Sequence, residues 1–294
     1  MHESSQEQSK MKPSIIQGLA PVNGAHISYE LAGQGHPLVF VQGSGSLGIH
    51  TWDDQFLPFS SFYQVLRYDI RGRGKSSDPG QSYSTMDDLF GLLQYLGIKK
   101  AYFVELRGAT VLKLLQKHGD LSDALVLVSL PFFLHQSKEE VLSEIMPNFL
   151  QLFEQFSPAY EAFAQKNISK GIKLLMQQIG LSLPIKHLSY YRKLHKYLSE
   201  NSHIFSHLPT SPQEVSDSWV FPQEQFEQLM IPTLVLRDDQ DGPAICETFT
   251  HLIQTIPNAQ HHIIPRSGYA TILENQKVFN QTVLQFLQSL EDGH

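Results

Sequence analysis

Residue types able to do chemistry gather in three short stretches of this 294-residue chain. The first is a glycine loop, Gly43-Ser44-Gly45-Ser46-Leu47-Gly48, directly behind the apolar run Pro37–Gln42. Its G-x-G-x-x-G spacing, with Asp69 closing the next apolar run, is by itself the dinucleotide fingerprint, in which glycines let backbone approach a pyrophosphate. An antiparallel-looking lead-in strand, Ala25–Leu31, precedes the loop, whereas a dinucleotide domain usually opens with the fingerprint strand. The second stretch, Gly74-Lys75-Ser76, looks like the end of a P-loop, but Asp69 stands where the required upstream glycine should be. The third is the acid loop Asp238-Asp239-Gln240-Asp241 behind Thr233–Arg237. Ser44 and Ser46 have no base beside them and read as turn residues. The 14 histidines are scattered without an H-E-x-x-H spacing, and Cys246 is the single cysteine, which excludes an intrachain disulfide and a multi-cysteine metal site. Neither a cofactor nor a metal is expected.

These loops need elements to hold them. Ala25–Leu31, Pro37–Gln42, Tyr63–Asp69, Ala101–Glu105 and Leu125–Ser129 read as strands, Thr85–Leu96 and Val111–His118 as helices. Apolar strands alternating with amphipathic helices imply a largely parallel sheet. From about residue 131 to 227 the alternation stops. That block is rich in Phe, Tyr, Leu, Gln and His at helical spacing, as in Val141–Phe156 and Ile172–Ile179. It then resumes: strand Thr233–Arg237, helix Pro243–Ile256, strand Gln260–Ile264 and a closing helix over Gln276–Leu290. The expected division is a polar tail over 1–13, an α/β core from 14–130 and 228–294, and a helical cap over 131–227.

Composition narrows the function. With 22 Lys+Arg against 29 Asp+Glu the net charge is −7, and 41% of residues are hydrophobic against 17% charged. That is a soluble globular balance, with no basic run to bind nucleic acid or anionic lipid. No apolar run reaches the ~18 residues that a membrane span needs. Met1–Lys10 is polar with no apolar segment behind it, unlike a secretory signal, so a cytoplasmic monomer or homodimer is expected.

Five segments in order resemble the α/β-hydrolase family. Asn23–Glu30 looks like its first hairpin; Gln42-Gly43-Ser44-Gly45 sits where the family writes its oxyanion loop, with Trp52 and Gln55 at the usual distance. Asp69-Ile70-Arg71-Gly72-Arg73-Gly74-Lys75-Ser76 matches the family's D-x-R-G-x-G-x-S segment. Asp87-Asp88-Leu89 through Ala101 leads toward the nucleophile strand, and Ile231-Pro232-Thr233-Leu234-Val235 opens the strand that carries the acid. The resemblance implies a mostly parallel central sheet flanked by helices, with a helical cap insertion.

The departures from the family pattern fall on its chemistry. The G-x-S-x-G turn that exposes the nucleophile corresponds to Glu105-Leu106-Arg107-Gly108-Ala109, so Arg107 takes the serine position. A guanidinium, with a pKa above about 12, cannot lose a proton to attack a carbonyl. Tyr269, in Ser267-Gly268-Tyr269, takes the histidine position, and a phenol with pKa near about 10 is a poor base at neutral pH. Asp241 stands as the acid, with Asp239 as the alternative in that loop. The expected site therefore comprises Arg107, Asp241 and Tyr269 at degenerate triad positions, with Gly43, Ser44, Gly108, Arg107, Glu105 and Trp52 around a small, anionic or carbonyl-bearing ligand. Two readings stand beside that one. Arg107 pairs with Asp241 or Glu105 and plugs a silent pocket, or Arg107, Asp241 and Tyr269 run non-hydrolytic chemistry by stabilising an oxyanion and relaying a proton. The family offers precedent for silence, since gibberellin receptors and neuroligins resemble hydrolases and act by binding. His50 is a candidate displaced base, Cys246 a buried inert thiol, and Asp69 and Arg71 braces for the loop beside the oxyanion site.

Overall fold

The computed structural model describes residues 13–43, 48–78, 83–130, 133–134, 154, 157–178, 188–201, 220–221, 223–267 and 271–291. Ten strands fall in this set: β1 (Ile15–Val22), β2 (Ala25–Ala32), β3 (Pro37–Gln42), β4 (Gln64–Tyr68), β5 (Ala101–Leu106), β6 (Ser122–Val128), β7 (Phe133–Leu134), β8 (Val220–Phe221), β9 (Thr233–Asp238) and β10 (Gln260–Ile264). Eight of them form one sheet in the order β1-β2-β4-β3-β5-β6-β9-β10. β2 pairs antiparallel with both β1 and β4, and every other neighbouring pair is parallel. The central strands are apolar on both faces because both faces are covered: β3 reads PLVFVQ and β6 ends in LVLV.

The helices are α1 (Asp53–Ser60), α2 (Thr85–Tyr95), α3 (Thr110–Lys117), α4 (Ile168–Gln178), α5 (Leu188–Glu200), α6 (Gln223–Glu227), α7 (Pro243–Thr255), α8 (Thr271–Glu274) and α9 (Gln276–Glu291). Leu89, Leu92 and Leu93 of α2, Val111 and Leu114 of α3, and Phe249 and Leu252 of α7 pack on one sheet face with Val39, Phe103 and Leu127. Phe56 and Phe59 of α1, and Phe279, Val283 and Leu287 of α9, pack on the other with Phe40, Val104 and Val126. This is a three-layer α/β sandwich. Parallel strands in such a sheet leave a crevice at their carboxyl ends, which is where the chemistry-bearing loops emerge.

Several boundaries differ from the sequence reading for local reasons. β6 begins at Ser122, ahead of its apolar core, and stops before Ser129, whose backbone turns left-handed at φ 47°. Pro58 inside α1 hides that helix from a reading by pattern, yet its Gln55, Phe56 and Phe59 are buried. β1 lacks an alternating pattern because it is an edge strand, and Ile15, Ile16 and Leu19 are exposed. The expected helix Ile172–Ile179 starts a turn earlier, at Ile168, while Val141–Phe156 lies almost wholly outside the described residues. Residues 157–164 are also helical; Ala159 and Phe163 there, with Ile168 and Ile172 of α4 and Tyr197 and Leu198 of α5, make a third apolar cluster apart from the two sheet faces. The block read as a helical cap also holds a parallel two-residue strand pair, β7 with β8.

Candidate functional site

Three strand ends converge on one carboxylate. After β5 the chain turns at Arg107, which has φ 50°, a left-handed conformation that costs an L-residue about 1–2 kcal/mol. Backbone bonds hold the turn to both neighbouring strands: Arg107 N–H donates to Val128 O at 3.0 Å, and Gly43 N–H to Leu106 O at 2.8 Å. Gly43 has no alternative residue, since a Cβ there would fall on the carbonyl of Arg107. Strain of this kind persists where surrounding contacts over-determine the backbone, as at functional sites. Next in the sheet, β6 is followed by Ser129, also left-handed and fully buried. Beyond it, the turn after β9 carries Asp241.

The side chains close a compact network. Arg107 Nη2 donates to Asp241 Oδ1 at 3.2 Å, with both side chains nearly buried. Asp241 Oδ2 accepts from Ser129 Oγ at 2.9 Å and from Asp238 N–H at 2.8 Å. The three acids at the end of β9 and in the turn after it thus have separate tasks. Asp238 accepts from Ser267 Oγ at 2.6 Å. Asp239 takes the N–H groups of Arg266 and Ser267 at 2.8 and 3.1 Å, and the first of these bonds holds its carboxyl below the usual carboxylate range. Asp241 is the acid that meets Arg107.

Some expected ligand groups stand elsewhere. Glu105 is turned under the head of α3: its carboxylate is fully buried and accepts from Thr110 N–H at 2.6 Å and Val111 N–H at 3.1 Å, the first two residues of that helix. Burial pushes this carboxyl up to about 8, against the lowering effect of those N–H bonds. Trp52 is sealed in the core, its ring stacked on that of Phe40 of β3 with centroids 4.6 Å apart. His50 is exposed and sits 3.2 Å from Asp53. Cys246 is half-buried rather than buried, its thiol 3.4 Å from Asp241 O. Asp69 does brace loops, accepting from Ile49 N–H at 2.8 Å and Lys75 N–H at 3.2 Å, but Arg71 turns away to form a bidentate pair with Asp88 of α2 at 2.7 and 3.0 Å. Gly108 follows Arg107 at the head of α3, whereas Ser44 and Tyr269 lie outside the described residues. Ser129 is the site residue that motif order does not point to. Its signal is a hydroxyl closing an apolar run at the carboxyl end of a parallel strand. Among the described residues no group of His, Cys, Asp and Glu is arranged to hold a metal ion, and no helix is long and apolar enough to cross a membrane.

A covered parallel sheet with its polar network at the carboxyl strand ends, entered by an antiparallel lead-in, can be compared with known proteins. An enol-lactonase from Burkholderia xenovorans LB400 superposes with a TM-score of 0.70, at 20% identity, covering 92% of this chain and 100% of that one. The chain has the α/β-hydrolase fold. No protein-family model matches it. Among curated proteins it is 26% identical over 283 residues to a non-heme chloroperoxidase of Kitasatospora aureofaciens, covering 90% of this chain and 97% of that one. It is 20% identical over 301 residues to a 2-hydroxy-6-oxo-6-(2'-aminophenyl)hexa-2,4-dienoic acid hydrolase of Metapseudomonas resinovorans, covering 99% and 98%. In this chain the turn between β5 and α3 holds Arg107 in its left-handed conformation.

Proposed function

We propose that this α/β-hydrolase-fold protein binds a small acidic or carbonyl-bearing molecule at Arg107 without a serine–histidine relay. One observation carries the reading: a permanently cationic side chain occupies the left-handed apex after β5, anchored by an Asp241 that is itself fixed by Ser129 and the Asp238 N–H. A guanidinium so placed suits a planar carboxylate or a polarised carbonyl, with charge-assisted hydrogen bonds that a neutral donor cannot match. The relative from Metapseudomonas resinovorans is named for a dienoic acid that also carries an oxo group, which fits that ligand class. Residues 131–227 then act as a cap on the site. Support comes from Asn201, after α5, whose Oδ1 accepts from Gly74 N–H at 2.9 Å, and from Tyr197, which borders Gly48.

Isothermal titration of benzoate against the wild type and Arg107→Ala tests the reading. The expected result is a loss of at least about tenfold in affinity in the variant; equal affinity overturns it. A second reading keeps turnover, through Arg107, Asp241 and Tyr269, and is favoured by the hydrolase names of the relatives. Short p-nitrophenyl esters separate the two. No turnover by the wild type, with turnover gained by the double change Arg107→Ser, Tyr269→His, supports binding. Wild-type turnover abolished by Tyr269→Phe supports the enzyme.

A further inference from the structure

The Arg107–Gly108 peptide is gripped by two neighbours that leave no slack. Gly43 lies against the Arg107 carbonyl, and Glu105 Oε1 lies so close to Gly108 that a Cβ added there would come within 2.6 Å of it. The same carboxylate satisfies N–H groups at the head of α3, donors that a helix otherwise leaves without partners. A helix N-terminus favours an anion, and here the protein supplies its own. Glu105 is fully buried and sits two residues before Arg107, on the strand that carries the turn. The Leu112 N–H and Lys113, one turn into α3, also act to lower its carboxyl, and Glu105 in turn helps to raise the buried phenol of Tyr68 in β4.

We propose that Glu105 is a positioning residue for the cationic turn: its buried carboxyl ties the Arg107–Gly108 peptide to α3 and regulates the charge presented there, so that a carboxylate at Arg107 is held more weakly once Glu105 ionises. The inference rests on the ligand reading above. Its physical basis is that a second negative charge beneath the turn opposes the ligand's own in a poorly screened interior. Because burial raises the Glu105 carboxyl to about 8, the change falls between neutral and mildly alkaline pH.

The experiment has two arms. In the first, amide shifts of Thr110 and Val111 are followed by nitrogen-15 NMR from pH 6 to 9.5 in the wild type and in Glu105→Gln, a near-isostere. Both amides are expected to titrate together in the wild type and to stay flat in the variant. Flat wild-type amides, or an unchanged titration in Glu105→Gln, overturn the proposal, and the wild-type half of this arm needs no variant to fold. In the second arm, benzoate affinity is measured across the same range. It is expected to fall about three- to tenfold through the amide midpoint in the wild type and to be independent of pH in Glu105→Gln; parallel profiles overturn the charge coupling. Absence of benzoate binding at every pH sinks the ligand reading and the coupling with it, while the amide titration still decides whether Glu105 grips the turn.

Discussion

Two arginines are buried at similar depth in this molecule, Arg67 in β4 and Arg107 at the end of β5, with side chains 8% and 11% exposed. Arg67 lies within a strand, directly across from Glu30 of the antiparallel β2. Its Nε and Nη2 donate to Glu30 Oε2 at 2.9 and 2.6 Å, its Nη1 to Asp53 Oδ1 at 2.8 Å and Ile49 O at 3.1 Å, and the guanidinium lies 4.2 Å from the centroid of the Phe56 ring. These contacts reach three elements, so the cation rivets β2, α1 and the turn before it to the sheet. Arg107 instead stands where the sheet stops, on a backbone held in an unfavourable conformation, and its hydrogen bond to Asp241 at 3.2 Å is longer than any of those hydrogen bonds of Arg67. The difference teaches that a buried cation is read by its backbone as much as by its burial. Structure builds around Arg67, whereas structure is spent to present Arg107.

The comparison breaks if removing either cation has the same effect. Arg67→Met should cost about 3 kcal/mol, because Glu30 and Asp53 are left partly buried without their counter-charge. Urea titration measures it, and a loss below about 1 kcal/mol would mean that Arg67 is no more than a surface pair. Ligand binding is expected to survive in whatever fraction remains folded.

The two regions should also respond to pH in opposite directions. Burial alone would raise the Asp53 carboxyl, but hydrogen bonds from His50 and Arg67 outweigh it and hold the group far below the usual carboxylate range. A depressed carboxyl stabilises the fold above its unfolded pKa and loses that contribution as pH falls, so the Arg67 region weakens in acid. Glu105 is raised, from 4.5 to about 8. The folded state then keeps the proton longer, so this contribution is complete below pH 4.5 and lost as pH rises to about 8. The loss is of the order of 2 kcal/mol once relaxation of the site is allowed for. Glu105→Gln is expected to remove this decline. Denaturation midpoints of the two proteins from pH 5 to 9 give the answer, and parallel curves would show that Glu105 is ionised throughout.

Much of this contrast is legible in the amino-acid order itself. Apolar runs such as PLVFVQ announce β3 because a strand covered on both faces has no reason to alternate. Motif order alone places the glycine loop, the arginine at the turn after β5 and the acid loop. What a linear reading cannot supply is the direction of side chains. Glu105 and Arg107 are two residues apart, yet one folds beneath α3 and the other reaches Asp241, because the left-handed turn between strand and helix redirects the chain. Trp52 stands in the sequence where a ligand wall is expected and is a core residue for a similar reason: burial belongs to the packed layers, not to the motif. Asp239 and Asp241 are told apart only by the bend that sends one to Arg266 and the other to Arg107.

The smallest effect sharpens the contrast most finely, because it asks whether the left-handed turn after β6 exists for its side chain. Ser129 combines φ 47° with a hydroxyl bonded to Asp241. Ser129→Ala removes the bond and keeps the strain, at an expected cost of about 1.5 kcal/mol. Ser129→Gly removes the same bond but relieves about 1 kcal/mol of left-handed strain, so its stability should lie within about 0.5 kcal/mol of the wild type. Benzoate titration then separates backbone from side chain. If the hydroxyl is there to aim Asp241 at Arg107, glycine restores stability without restoring affinity, and the two variants bind equally poorly. If affinity returns with stability in Ser129→Gly, the turn matters only as a turn, and the network around Arg107 ends at Asp241 and the Asp238 N–H.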